Sequence, residues 1–110
     1  TDDMLIIRGV NVFPVQFAQV ISEFPEVTSY YQILITTKGA LDAVELHVET
    51  VPDFPFDEIR RLQDLKKRIE AGMKENLQVA VNVKIVEPMT IERAEGKAKR
   101  IIDLRGENNA

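Results

Sequence analysis

Between Pro55 and Pro88 a helical stripe leads directly into an alternating strand, and that succession limits the fold more than any other feature of the sequence. Phe56, Ile59, Leu62, Leu65, Ile69 and Met73 recur at three- and four-residue steps, the spacing that lines one face of an α-helix. Asp57 and Asp64 each stand four residues before an arginine, Arg61 and Arg68, on the exposed side of that helix. Val79, Val81, Val83 and Ile85 then alternate with Ala80, Asn82 and Lys84 until Glu87-Pro88 stops the strand. Upstream, Tyr31, Ile33 and Ile35 alternate with Gln32, Leu34 and Thr36, and Val44, Leu46 and Val48 alternate with Glu45, His47 and Glu49. Lys38-Gly39 between these two runs predicts a hairpin, with the acidic face of its second strand turned to solvent and the third strand beside it.

Two further elements precede the hairpin. Pro14 suits a first helical turn, and Phe17, Val20, Ile21 and Phe24 keep helical spacing until Pro25 ends a short helix. Before it, Met4 to Ile7 and Val10 to Phe13 read as two short extended pieces around Arg8-Gly9, a small N-terminal hairpin. The order helix, strand, strand, helix, strand predicts an α+β, ferredoxin-like two-layer sandwich, with two helices on one face of an antiparallel sheet. From about Met89 to Ala110 only Ile101, Ile102 and Leu104 are strongly apolar, which predicts an extended C-terminal loop on the surface.

With 110 residues the chain has room for one domain and one core, and is short for an enzyme that encloses several substrates in a cleft. A formal net charge of −4, with acids and bases interspersed, argues against nucleic acid or an anionic membrane as a partner. No cysteine is present, which excludes disulfides and thiolate metal sites and suits a reducing, cytoplasmic setting. The apolar runs are far shorter than the roughly 20 residues that cross a bilayer. Motif density from Thr1 onward reads as a piece of a longer protein.

The residues able to carry chemistry lie at the two ends. Lys97 follows Gly96 in the basic stretch Arg93-Ala94-Glu95-Gly96-Lys97-Ala98-Lys99-Arg100, where a long flexible stem on a loop able to bend can deliver a point cation outward. A plain solvated loop explains the same composition. Asp2-Asp3 suits either an ordinary turn or a hinge, where short polar residues absorb a large backbone rotation. Gly9 supplies the backbone freedom of a hairpin turn and also permits close approach of a ligand chain. His47 has no second His, Cys or Ser in pattern, so no metal or triad role is assigned to it. Tyr30 and Tyr31 lack an interleaved basic face and read as packing residues. No Gly-rich phosphate cradle occurs, so the chain has no nucleotide site of its own.

Asp2-Asp3-Met4-Leu5-Ile6-Ile7-Arg8-Gly9-Val10-Asn11-Val12-Phe13-Pro14, Val86-Glu87-Pro88 and Glu95-Gly96-Lys97-Ala98-Lys99-Arg100-Ile101-Ile102-Asp103 together closely resemble the C-terminal domain of phenylacetate-coenzyme A ligases, a branch of the adenylate-forming enzymes. The resemblance spans nearly the whole chain. Departures are Val15-Gln16-Phe17-Ala18, where relatives carry Ser-Gln-Ile-Glu, and Glu92-Arg93-Ala94, where they carry Pro-Arg-Ser. The resemblance implies a two-step reaction, in which ATP and an aryl acid give an acyl adenylate and pyrophosphate, and coenzyme A then displaces AMP. It implies that Lys97 is the catalytic lysine of adenylation, supported by Glu95, Gly96 and Lys99. Asp2 and Asp3 would form the hinge, and Arg8, Gly9, Val10 and Asn11 the loop that borders coenzyme A in the thioester step. ATP with magnesium, coenzyme A and the aryl acid are implied for the full-length enzyme, none bound by this domain alone. Its implied partner is a large N-terminal adenylation domain, within a parent for which a homodimer is one expected assembly. The competing expectation is a free-standing ferredoxin-like module that binds a small regulatory ligand.

Overall fold

A computed structural model describes residues 4–93 and 100–106. Its elements in chain order are β1 (Leu5–Ile7), β2 (Val10–Val12), α1 (Pro14–Ile21), β3 (Val27–Lys38), β4 (Leu41–Thr50), α2 (Ile59–Leu77), β5 (Asn82–Val86) and β6 (Ile101–Asp103). β1 and β2 form a separate two-stranded ribbon, and the other strands form one sheet in the order β5-β4-β3-β6.

The hairpin β3–β4 is the spine of the molecule. Its antiparallel register sets Tyr31 opposite Val48, Ile33 opposite Leu46 and Ile35 opposite Val44, so the alternation in the sequence becomes one continuous apolar face. Against that face lie Phe17, Val20 and Ile21 of α1 and Leu65, Ile69, Met73 and Leu77 of α2, all buried in a single core. The two-layer α+β sandwich with both helices on one face is therefore as expected, and Ile7 and Val12 join the N-terminal ribbon to the same core.

The sheet, however, is mixed rather than antiparallel. β5 runs parallel to β4, with Leu46 beside Val83, and β6 runs parallel to β3, with Ile33 beside Ile101. For β5 the reason is the connection. The 19 residues of α2 span roughly 28 Å, enough to carry the chain back along the sheet so that the next strand starts at the same end as β4.

Several boundaries also move: α1 ends at Ile21 rather than running on to Phe24, and β3 begins at Val27 rather than Tyr31. α2 begins at Ile59 rather than Phe56 and runs on past Met73 to Leu77, where Gln78 adopts the left-handed conformation at φ 65° and its N–H donates to the Lys74 carbonyl. Val79 and Val81 are buried ahead of β5 without being part of it. The C-terminal stretch is not wholly surface loop, because Ile101–Asp103 adds a short strand to the open edge of β3. The Ile33 N–H donates to the Arg100 carbonyl at 2.6 Å and the Leu104 N–H to the Ile35 carbonyl at 2.8 Å. A bare strand edge thereby gains partners.

The helices approach each other closely at Gly72, where an added Cβ would lie 3.1 Å from Val20 Cγ1. Gly72→Val places a branched side chain in that gap and is expected to destabilise the domain by about 1–3 kcal/mol. Urea unfolding checks this, and an unchanged midpoint would contradict the close crossing.

Candidate functional site

Ile7 pairs with Val10, which leaves Arg8 and Gly9 as a two-residue turn. Both have positive φ, 52° and 77°, the signature of a type I′ hairpin turn. Glycine adopts this conformation without strain, whereas for Arg8 the left-handed region costs on the order of 1 kcal/mol. Asp42 at the start of β4 offsets that cost. The Arg8 N–H donates to Asp42 Oδ2 at 2.7 Å, and Arg8 Nε donates to the Asp42 carbonyl at 2.8 Å. Nothing lies within 4 Å of a Cβ built on Gly9, so the tip of the turn is presented to its surroundings. Val10 is half-buried and Asn11 is exposed.

A second arginine closes the bracket. Arg105 Nη1 donates to the Ile6 carbonyl at 2.6 Å and lies 3.2 Å from Asp42 Oδ2, while its Nε and Nη2 bind the Asp103 carboxylate at 3.0 and 2.9 Å. The Arg8 backbone N–H, followed by Arg105, holds the Asp42 carboxyl below its usual range against the opposing effect of burial. Arg105 does the same for Asp103. The N-terminal turn, the β3–β4 turn and the chain just after β6 thus meet in one set of charge-assisted hydrogen bonds.

Lys97, with Glu95, Gly96 and Lys99, lies outside the described residues, as do Asp2 and Asp3. The flanks of the lysine segment are described, and both are arginines stacked on tyrosines. The guanidinium of Arg93 lies 3.6 Å from the centre of the Tyr30 ring, and that of Arg100 lies 4.9 Å from the centre of the Tyr31 ring. Arg93 also grips Glu49 with both terminal nitrogens, Nη1 to Oε1 at 2.7 Å and Nη2 to Oε2 at 2.6 Å. The Ile91 N–H adds a longer bond to Oε1 at 3.3 Å.

Glu49 is only 1% exposed, which corrects the expectation that the acidic face of β4 points into solvent. The stretch leading from Met89 to Arg93 folds over this end of the outer face and brings its own arginine as counter-ion. Glu45 and His47, farther along the same face, are half-buried and bind each other. No pattern in a single sequence pairs a glutamate with an arginine 44 residues away. The doublet Tyr30-Tyr31 was the available signal, since two adjacent rings on one strand offer a stacking surface on each face of the sheet. Among the described residues no three His, Asp or Glu side chains gather as metal ligands, and no described helix is long and apolar enough to cross a membrane.

With this geometry in view, the class is defined by sequence. Residues 9–105 match the family described as the AMP-binding enzyme C-terminal domain, and the chain belongs to that family. It is 42% identical to a phenylacetate-coenzyme A ligase of Thermus thermophilus, over 96% of this chain and 26% of that protein. The chain thus spans about a quarter of the length of the curated relatives it matches. A crystal structure of a domain of phenylacetate-coenzyme A ligase from Bacteroides vulgatus superposes with a TM-score of 0.86 at 35% identity, covering 94% of both chains. A 2-hydroxyisobutyryl-CoA ligase, solved with 2-hydroxyisobutyryl-AMP and coenzyme A in the thioesterification state, gives a TM-score of 0.85 at 28% identity over 98% of this chain and 23% of that one.

Hydrogen bonding to Arg93, outweighing burial, lowers the pKa of Glu49. A lowered folded-state pKa contributes stability that is present above the unfolded value of about 4.3 and is lost as pH falls through the folded value. Glu49→Gln is therefore expected to melt lower than wild type near neutral pH, with the gap narrowing as pH is taken down to about 3. Melting temperature against pH checks this. Parallel curves would contradict the ion-pair assignment.

Proposed function

We propose that this chain is the mobile C-terminal domain of an ATP-dependent aryl-CoA ligase, with phenylacetate as the expected class of acid. The observation that carries the reading is the braced, outward Arg8–Gly9 turn on a chain that belongs to this family. In the first step the acid's carboxylate oxygen attacks the α-phosphorus of ATP, forming the acyl adenylate and expelling pyrophosphate. Lys97 supplies a cation beside the carboxylate and α-phosphate as negative charge redistributes there. Rotation about Asp2 and Asp3 then withdraws Lys97 and brings the Arg8–Gly9 turn, with Val10 and Asn11, to the same reaction centre. There the thiol sulfur of coenzyme A attacks the acyl carbon, the C–O bond to AMP breaks, and the thiol proton is lost.

Nucleotide, metal and acid are assigned to a large N-terminal domain, in keeping with a chain that spans about a quarter of the length of its curated relatives. Exposed Met4, Ile6, Phe13 and Val15 on and beside the ribbon suit contact with such a domain better than permanent exposure to water. Lys38 and Lys74 line an open groove beside the turn together with Glu70, which is paired to Lys66, and the two lysines suit the phosphates of coenzyme A.

Lys97→Ala in the full-length protein is the test. Adenylation, followed by pyrophosphate exchange, is expected to fall by about 10²-fold or more, while thioester formation from supplied acyl adenylate persists. Unchanged pyrophosphate exchange would overturn the role given to Lys97.

A further inference from the structure

We infer that Asp42 and Arg105 are positioning residues for the thioester-forming step, and that Arg8 itself serves as the anchor of its turn while Gly9 is the position that reaches the ligand. The inference rests on the proposed role of the Arg8–Gly9 turn.

A two-residue type I′ turn needs φ above zero at both positions, and glycine or asparagine normally supplies it. Arginine at the first position is a poor choice for the turn alone. Arg8 holds that conformation with its own N–H bound to Asp42 Oδ2 at 2.7 Å and its Nε bound to the Asp42 carbonyl at 2.8 Å. The side chain therefore folds back onto the domain. A guanidinium tied in this way fixes the turn. Gly9, beside it and with open space around its Cα, has the freedom to lie against a ligand chain.

Arg105 extends the anchoring to the other end of the molecule. Its Nη1 donates to the Ile6 carbonyl at 2.6 Å, one residue before the paired Ile7, and it ion-pairs with both Asp42 and Asp103. Asp103 is the last residue of β6, whose first residue, Ile101, directly follows Arg100 at the downstream flank of the lysine segment. One cation thereby ties the N-terminal turn to the strand that leads out of that segment. The Asp42 and Asp103 carboxylates both face the Arg105 guanidinium, and Asp42 and Arg105 are each less than a quarter exposed, 24% and 22% by side chain. The geometry of such a cluster is better determined than that of a loose surface pair.

The test uses the full-length protein and separates the two half-reactions. Asp42→Ala is expected to lower transfer from supplied acyl adenylate to coenzyme A by about tenfold or more, the loss of a charge-assisted hydrogen bond, with pyrophosphate exchange held within about twofold. Asp42→Asn keeps an acceptor for the Arg8 N–H but loses the charge facing Arg105, and is expected to show a smaller selective loss. It carries the test if the alanine variant does not fold. Gly9→Val, run in parallel, probes the turn's role directly. If Gly9→Val slows transfer while both Asp42 variants leave it unchanged, the inference fails and the reading of the turn stands. If the Asp42 variants slow both half-reactions alike, the bracket supports the fold rather than the step, and the inference is overturned. If Gly9→Val leaves transfer intact, the reading of the turn fails, and the inference with it.

Discussion

The pairing of three residues, Ile101–Asp103, with the open edge of β3 holds the two ends of this molecule together. One link, from the Ile33 N–H to the Arg100 carbonyl at 2.6 Å, fixes where the chain returns after the lysine segment. Everything at the far end follows from it. Arg100 is placed against Tyr31, Asp103 is placed to hold Arg105, and Arg105 can then reach the N-terminal turn. A strand this short has little stability of its own. It depends on the rigid β3–β4 hairpin, whose inner face is fully committed to the core.

Charge in this domain is used mainly to fix backbone. Glu49 is taken almost wholly out of water, an arrangement whose desolvation cost offsets much of its attraction to Arg93. Such a pair is weak evidence for added stability and better evidence for a specified arrangement. Here it sets the point at which the chain leaves the sheet for the lysine segment, with Arg93 held between a carboxylate and the ring of Tyr30. The Asp42–Arg105 cluster performs the same service for the Arg8–Gly9 turn. For the role proposed for the Arg8–Gly9 turn such bracing matters, because transition-state stabilisation depends on preorganised geometry.

The elements that carry long periodic runs were legible in the sequence. Alternation through Ile33–Ile35 and Val44–Val48 located β3 and β4, the stripe from Leu62 to Met73 located α2, and Gly9 located the turn. Alternation has the same period in parallel and antiparallel strands, so direction had to be read from the connections: the helix between β4 and β5, itself legible, makes β5 parallel to its neighbour. β6 escaped because Ile101-Ile102-Asp103 is too short to show alternation and forms only against a preexisting edge. Glu49 was assigned to solvent because its local pattern is that of Glu45, and its environment is set by a distant segment. Arg8 and Gly9 form the hairpin turn that the sequence predicts, with Val10 and Asn11 opening β2, whereas the braces Asp42 and Arg105 carry no motif. Their roles come only from tertiary contact.

In the proposed function one domain delivers two different parts to one reaction centre in turn. The most direct measurement is the position of the Lys97 Nζ in crystals of the intact protein, trapped first with the reactants before pyrophosphate leaves and again with coenzyme A bound. The amine is expected within hydrogen-bond reach of the reacting carboxylate and α-phosphate in the first state, with the Arg8–Gly9 turn on that side of the site in the second. An amine remote from the reactants in both states would contradict it.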